Sequence, residues 1–551
     1  MADLPSTDDD RGDWGGKLNT WLLVGHEADG THADQLWSGT WDDIRNYDDI
    51  ADAVTSIGVT ETTLLIPDAQ DVDENVTVPS TMKLHFVGAG QLTIETGIDL
   101  TINSPEHIIA PPRRQIFVIE GTGEVIFSNE GLVYPQWWGA LADGSTDDKA
   151  EIQAAITSLA TPGGVVKILP GTYKIDTVVT LDSNVQIIGV DPETCIFKTK
   201  NTGHHGLHAE TETNIIIANI GIDGNRSGDT TTVGNIGLFY HDCTHCDIIN
   251  CRVYDYLGQA IGVGGVSSPG ESSYIRVLDC RCYDNNDHAI DFNAVQAGLI
   301  RGCFCYNNEL SGIFVGHGNT FHVTVTENQC HDNGIDGIIL DGSDYASEGA
   351  IAILNIITNN ICYNNGRHGI HLLGAENNVI SNNQCTNNGQ VSANSCGIVM
   401  ADDVESQVCQ YNTLIGNVCI DTSGSPTQDY GIWEAGSGNY NMIIGGRCAG
   451  NDTAQVAITG ASTHTVGVIS YDQTGQYGLL IRNGVQTIVA TDDVADPPTD
   501  TELDTAFGTP AAVGPGFMGI VDDDGAHATE WFCWSDGTAW WYIEGTKAVN
   551  P

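Results

Sequence analysis

Between about Asn235 and Gln455, apolar and polar residues alternate in runs of three or four, and the runs return as a phrase. Asp279-Cys-Arg-Cys-Tyr-Asp-Asn, Gly302-Cys-Phe-Cys-Tyr-Asn-Asn, Glu327-Asn-Gln-Cys-His-Asp-Asn and Asn359-Asn-Ile-Cys-Tyr-Asn-Asn superpose, as do Asn382-Asn-Gln-Cys-Thr-Asn-Asn, Gly416-Asn-Val-Cys-Ile-Asp and Gly445-Gly-Arg-Cys-Ala-Gly-Asn. A second phrase, Gly-Ile-x-apolar, follows each one. Its first residues are Ala260, Ala289, Gly312, Gly337, Gly369, Gly397 and Gly431, at gaps of 29, 23, 25, 32, 28 and 34. Strand-like pieces and Asn/Gly turns at such a period predict a solenoid. No 11-residue stretch keeps a 3.6 period, which excludes helical repeats, and the leucine frame of leucine-rich repeats is missing. What remains is an all-β parallel β-helix, one coil per repeat, with coils stacked about 4.8 Å apart.

Stacking assigns the cysteines. Each coil sends one position inward onto its equivalent above and below. Cys282, Cys305, Cys330, Cys362, Cys385, Cys419 and Cys448 form one such column; two residues earlier runs Cys251, Cys280, Cys303, Asn328, Asn360, Asn383 and Asn417. Cysteine stacks as a small apolar residue, and an asparagine column bonds its amides from coil to coil. Ten of the 16 cysteines fall in these columns, so they read as reduced core rather than as a disulfide framework. Ile261, Ile290, Ile313, Ile338, Ile370, Ile398 and Ile432 supply the apolar column of the following strand. Cys243-Thr-His-Cys246 stands alone, short of the four ligands of a closed zinc site.

Outside the repeat the pattern changes. Residues 1–35 are polar, and 60–135 alternate between Gly/Pro turns (Met82-Lys-Leu-His-Phe-Val, Gln91-Leu-Thr-Ile), which predicts strands. Ser145-Thr-Asp-Asp-Lys-Ala-Glu-Ile-Gln-Ala-Ala-Ile predicts a helix near 147–160, with Ala150, Ile152, Ala155, Ile156 and Leu159 on its apolar face. Asp496-Pro-Pro-Thr-Asp reads as a linker before an aromatic stretch with Trp531, Trp534, Trp540, Trp541 and Tyr542. The expected domains are therefore 1–35, 36–133, 134–485 and 496–551.

Charge then narrows the partners. Against 20 Lys and Arg stand 72 Asp and Glu, a formal net charge of −52, while 41% of the residues are hydrophobic. There is enough apolar material for a core, and the charge argues against nucleic acid or an anionic membrane. No 18-residue apolar run predicts a membrane span. The opening Met1-Ala-Asp-Leu-Pro-Ser has neither a basic nor an apolar region of the signal-peptide kind.

Tyr134-Pro-Gln-Trp-Trp-Gly-Ala-Leu-Ala-Asp-Gly-Ser-Thr-Asp-Asp-Lys-Ala-Glu-Ile-Gln-Ala-Ala-Ile, followed by Gly163-Gly-Val-Val-Lys-Ile-Leu-Pro-Gly-Thr-Tyr-Lys-Ile, resembles the entry to the pectate-lyase-like superfamily, in particular its phage tailspike branch. With Ile220-Gly-Ile-Asp-Gly-Asn-Arg-Ser-Gly and the coils, the resemblance covers roughly residues 134–480. Gly12-Asp-Trp-Gly-Gly-Lys-Leu-Asn resembles openings of phage tail proteins, and Ser535-Asp-Gly-Thr-Ala-Trp-Trp-Tyr resembles tail-fibre ends. The resemblance implies a right-handed β-helix capped by the helix, a homotrimer, and a polysaccharide-cleaving activity. It also implies attachment to a virion tail or baseplate through the N-terminus, and a virion or extracellular location.

Candidate chemistry follows from the Gly-Ile register. One residue after each Ile come Gly262, Asp291, Phe314, Ile339, His371, Val399 and Trp433; three after come Gly264, Asn293, Gly316, Asp341, Leu373, Ala401 and Ala435. The preceding turns carry Asp287-His288, Glu309, Asp336 and Arg367-His368. Polar positions on the outside thus gather on four coils, roughly 285–371. Extra residues at 266–273 and 343–349 enlarge the loops beside them. Glycoside hydrolysis needs two carboxylates, about 5 Å apart for retention or 6.5–9.5 Å for inversion, separations that neighbouring coils supply. Asp291 is expected as one, with Asp287, Glu309 or Asp341 as its partner, and His317 between glycines joins them. His288, Asn293, Phe314, Asp336, Arg367, His371 and Trp433 are expected to bind substrate.

Three readings compete. The first is a polysaccharide hydrolase. The second is a lyase or epimerase on uronic acids, for which the superfamily generally uses Lys or Arg, often with Ca²⁺. No lysine stands between Lys200 and Lys547 and arginines are few, which weighs against this second reading unless the acidic patch holds calcium; otherwise no cofactor is expected. The third is a non-catalytic receptor-binding spike, since fold alone does not set activity.

Overall fold

The computed structural model describes residues 40–199, 204–226, 235–264, 272–316, 320–343, 352–403, 407–438, 440–458, 463–471, 477–482, 490–494, 498–507, 509–513, 515–523, 530–536 and 538–545. His317, the opening 1–35 and most of the two enlarged loops lie outside them. Two compact units divide the chain: Met1–Leu141 with Ala150–Lys167 and Asn184–Gln186, and Ala142–Lys149 with Ile168–Ser183 and Ile187–Pro551.

In the first unit the expected strands pair in parallel. Thr62–Ile66, Met82–Phe86 and Ile108–Ile109 form one row; Ala69–Val72, Gln91–Ile94 and Phe117–Ile119 a second; Val76–Val78, Asp99–Ile102 and Glu124–Phe127 a third. These are coils too. Leu64 lies beside Leu84 and Leu84 beside Ile108, while Ile102 lies between Val78 and Phe127, and all of them are buried. The helix spans Lys149–Thr157, shorter than expected at its start because Asp143–Asp147 is extended. Ile152, Ala155, Ile156 and Leu159 are buried. Ala150 is exposed and does not belong to the apolar face.

In the second unit each coil has three strands. Leu299–Arg301, Phe304–Tyr306 and Ile313–Gly316 make up one coil. Gly302, between the first two strands, has φ +69°, and its equivalents Asp279, Glu327, Asn359, Asn382, Gly416 and Gly445 are all left-handed. That bend explains the first residue of the recurring phrase: glycine, asparagine and aspartate tolerate positive φ best. The glycine of the second phrase has a steric reason. A Cβ on Gly369 would lie 2.6 Å from the Gly397 carbonyl oxygen and 2.8 Å from Cys385 Cβ.

The cysteine column is paired coil by coil from Cys282 to Cys448, and every member is fully buried. All 16 cysteines are buried free thiols. Ile261 to Ile432 are likewise in register and buried. The asparagine column bonds as expected: Asn328 Nδ2 donates to Asn360 Oδ1 and Asn360 Nδ2 to Asn383 Oδ1, both at 3.0 Å. Two further ladders, Asn285-Asn308-Asn333-Asn365-Asn388 and Asn355-Asn378-Asn412-Asn441, turn the other corners. In native protein, thiol titration is expected to find almost no reactive groups, and close to sixteen after denaturation.

The tail forms a separate sheet. Ala490–Val494 pairs in parallel with Pro515–Asp523, which continues antiparallel into Glu530–Asp536 and Trp540–Gly545. Trp531 and Trp540 are buried and Trp541 is exposed. Among the described residues no helix is long and apolar enough to cross a membrane.

Candidate functional site

The Gly-Ile register is the one observed. Asp291, Phe314, Ile339, His371, Val399 and Trp433 follow one another on adjacent strands, as do Asn293, Gly316, Asp341, Leu373, Ala401 and Ala435. Exposure, which alternation predicts for the first column, is not found. Asp291 keeps 4% of its surface, Phe314 6% and His371 5%, while Trp433 is half-buried. Phe314 therefore offers no open platform; its ring lies 4.8 Å from that of His288.

The carboxylates separate into different environments. Gln259 Nε2 donates to Asp291 Oδ2 at 2.9 Å, and Asp341 Oδ1 accepts the Ser343 N–H at 2.8 Å. These two acids stand two coils and two residues apart. Coil and strand spacings put their Cα atoms roughly 11–12 Å from each other. Asp287 is half-buried and Glu309 exposed. The Glu309 N–H bonds the Asn285 carbonyl at 2.8 Å, so Glu309 sits one coil on, opposite Asn286 and one residue out of register with Asp287. His288 Nδ1 accepts the Ser311 N–H, and Asn293 Oδ1 is buried with no hydrogen-bond partner among the described residues.

One cluster converges. Arg367 Nε and Nη2 donate to the two carboxylate oxygens of Asp336 at 3.0 and 2.5 Å. His371 Nδ1 lies 3.2 Å from Asp336 Oδ2 and 3.1 Å from Arg367 Nη2. The His368 N–H donates to Asp336 Oδ1 at 3.0 Å. Asp336 keeps none of its side chain exposed, whereas Arg367 keeps 36%. Asp336 was expected to bind substrate; full burial and this set of donors turn it inward, onto Arg367 and His371. Burial alone would raise its carboxyl, but the hydrogen bond and charge of His371, with Arg367, hold it well below the carboxylate range. The sequence signal was available, because Asp336 occupies the position before Gly-Ile that His368 occupies one coil later.

His368 behaves differently. Burial, only partly offset by Asp336, pushes it from 6.5 down to about 3, and as a neutral ring its Nδ1 accepts the Cys396 N–H at 3.1 Å. The unfolded chain thus takes up a proton near pH 6.5 that the folded chain refuses until about pH 3. This contribution is whole above pH 6.5 and is lost as pH falls towards 3; Asp336 adds to the loss below its ordinary 3.8. The melting midpoint should fall across this window, with a smaller slope in His368→Gln.

Asp336, His368 and His371 bring their ligand atoms within 4.8 Å, but the Arg367 guanidinium already supplies the cation there. Cys243 and Cys246 are buried, and His245 stacks on Tyr274 at 4.7 Å.

A family model described as a right-handed β-helix region matches residues 234–408. The fold is the right-handed parallel β-helix. The mannuronan C5-epimerase AlgE3 of Azotobacter vinelandii is 28% identical over 256 residues, 44% of this chain and 11% of that protein. Alginate lyase 7 of the same organism is 27% identical over 252 residues, 43% of this chain and 23% of that protein. The chain thus spans less than a quarter of the length of either relative. Among solved structures, the A-module of the mannuronan C-5 epimerase AlgE6 of A. vinelandii superposes with a TM-score of 0.51 at 19% identity, covering 61% of this chain and 98% of the module. An exopolygalacturonase of Thermotoga maritima gives 0.50 at 12% identity, covering 63% of this chain and 92% of that one.

Proposed function

We propose that the chain modifies an acidic polysaccharide by removing the proton α to a uronate carboxylate, leading to epimerisation or chain cleavage by elimination. The observation that carries this reading is the Arg367 guanidinium, partly exposed and fixed by the buried Asp336 beside His371. Uronate chemistry needs a cation on the substrate carboxylate, because the charge left by the departing C5 proton spreads onto it. It also needs a base within reach. His371, whose Nδ1 lies 3.2 Å from Asp336 Oδ2 and 3.1 Å from Arg367 Nη2, is the imidazole held beside that cation. Epimerisation returns a proton to C5 from the opposite face; elimination expels the 4-oxygen instead. The relatives named for mannuronan epimerase and alginate lyase activity match this chain at comparable identity and support the same class.

A second reading, the glycoside hydrolase, is favoured by Asp287 and Glu309, which lie on adjacent coils one residue out of register. Incubation with uronate-rich and neutral bacterial polysaccharides separates the two. Unsaturated ends or inverted C5 centres support proton abstraction, plain reducing ends on a neutral polymer support hydrolysis, and no reaction favours a receptor-binding spike. The tailspike-like homotrimer, joined to a virion tail through the N-terminal segment, belongs to the same proposal. Light scattering is expected to give the mass of three 58.7 kDa chains, and the mass of one chain would overturn it.

A further inference from the structure

The coils ahead of the recurring phrase carry a second gathering of ionisable groups. Leu207–Glu210 and Leu238–His241 pair in parallel, with Glu210 opposite His241 and His208 opposite Phe239. Residues two apart share a face of a strand, so His208, Glu210 and His241 emerge on one side around the Phe239 ring. That ring stacks on His208 at 5.1 Å and on His241 at 5.6 Å. One nitrogen from each histidine and a Glu210 oxygen all lie within 4.8 Å of one another. His241 Nδ1 is 3.7 Å from Glu210 Oε1, and its other nitrogen is 3.7 Å from Asp242 Oδ2.

Two observations separate this cluster from an ordinary polar surface. Nε2 of His208, Nε2 of His241 and Oδ1 of Asp242 are buried with no hydrogen-bond partner among the described residues, an arrangement that is costly for a polar group taken out of water. No lysine or arginine among the described residues pairs with Glu210 or Asp242, whereas Arg367 fills that role at Asp336. The cluster thus presents two imidazoles and two carboxylates with no resident cation.

We propose that His208, Glu210 and His241 bind a divalent transition-metal ion of the zinc type. Two imidazoles and a carboxylate suit such an ion, whereas calcium and magnesium take oxygen ligands. Metal–ligand bonds of about 2.0–2.2 Å place tetrahedral ligands about 3.4 Å apart, a few tenths of an ångström inside the His241–Glu210 contact. Glu210, whose side chain is 63% exposed, has room to close the rest. Asp242 then accepts from the outer nitrogen of His241, fixing its tautomer as carboxylates behind metal-bound histidines do. Three protein ligands leave a fourth position for water or a ligand group.

The test is calorimetric titration of the chelator-stripped full chain with zinc chloride, in excess magnesium to occupy the acidic surface. One tight equivalent per chain is expected, together with a raised melting midpoint. Glu210→Gln, on an exposed side chain, should weaken binding at least tenfold, and Asp242→Asn by about 10–100-fold. The double variant His208→Ala with His241→Ala should abolish binding, while His368→Gln leaves it unchanged. No binding in magnesium, or binding unaltered in these variants, overturns the site. Should the double variant fail to fold, Glu210→Gln decides.

Discussion

Arg367→Gln is expected to lower turnover of a polyuronate by two orders of magnitude or more while the coils stay folded. The guanidinium lies beside the buried Asp336 and keeps part of its own surface free. A neutral amide holds neither the substrate carboxylate nor the charge that builds on it as the C5 proton leaves, and the loss of one such donor commonly costs about 10²–10³ in rate. Asp336→Asn should act through its neighbours. It leaves Arg367 loosely held and His371 without the anion that orients its ring, so turnover falls and its pH profile shifts. Asp73→Asn and Glu74→Gln, on exposed side chains of the first unit, should be silent. Steady-state kinetics with circular dichroism on each variant checks this, and a full-rate Arg367→Gln would move the site to Asp287 and Glu309.

The second large effect is on stability. Asn360→Leu is close in size but removes four bonds at once: acceptance from the Asn328 N–H and Nδ2, and donation to the Val325 carbonyl and to Asn383 Oδ1. The partners stay buried, and each abandoned group costs about 1–3 kcal/mol. A loss of roughly 3–5 kcal/mol is therefore expected, read as a lower melting midpoint and faster hydrogen exchange on the flanking coils. Cys362→Ala removes only a small apolar group from the adjoining column and should cost less than half as much.

The cysteine and isoleucine columns were legible because each coil repeats the same residue at the same place, so the phrase itself carried the register. The coils of the first unit were not. There the columns mix Leu, Ile, Val and Phe with no fixed phrase, and alternation alone reveals strands without their partners. At the candidate site, sequence spacing placed Asp291, Phe314 and His371 in one column correctly. It mistook an outward position for an open one, since alternation gives the face of a strand but not what covers that face. Asp336 and Arg367 were named singly as turn residues, but their bidentate pairing depends on side-chain directions that no repeat records. His208 and His241 escaped notice because their coils precede the phrase that set the register.

The most direct measurement is the fate of the C5 hydrogen when the full chain acts on a polyuronate in heavy water. Proton abstraction by the Arg367–His371 cluster predicts either deuterium at C5 of the recovered polymer or unsaturated ends lacking that hydrogen, and neither with Arg367→Gln. Cleavage that leaves C5 hydrogen intact and yields saturated reducing ends would contradict it.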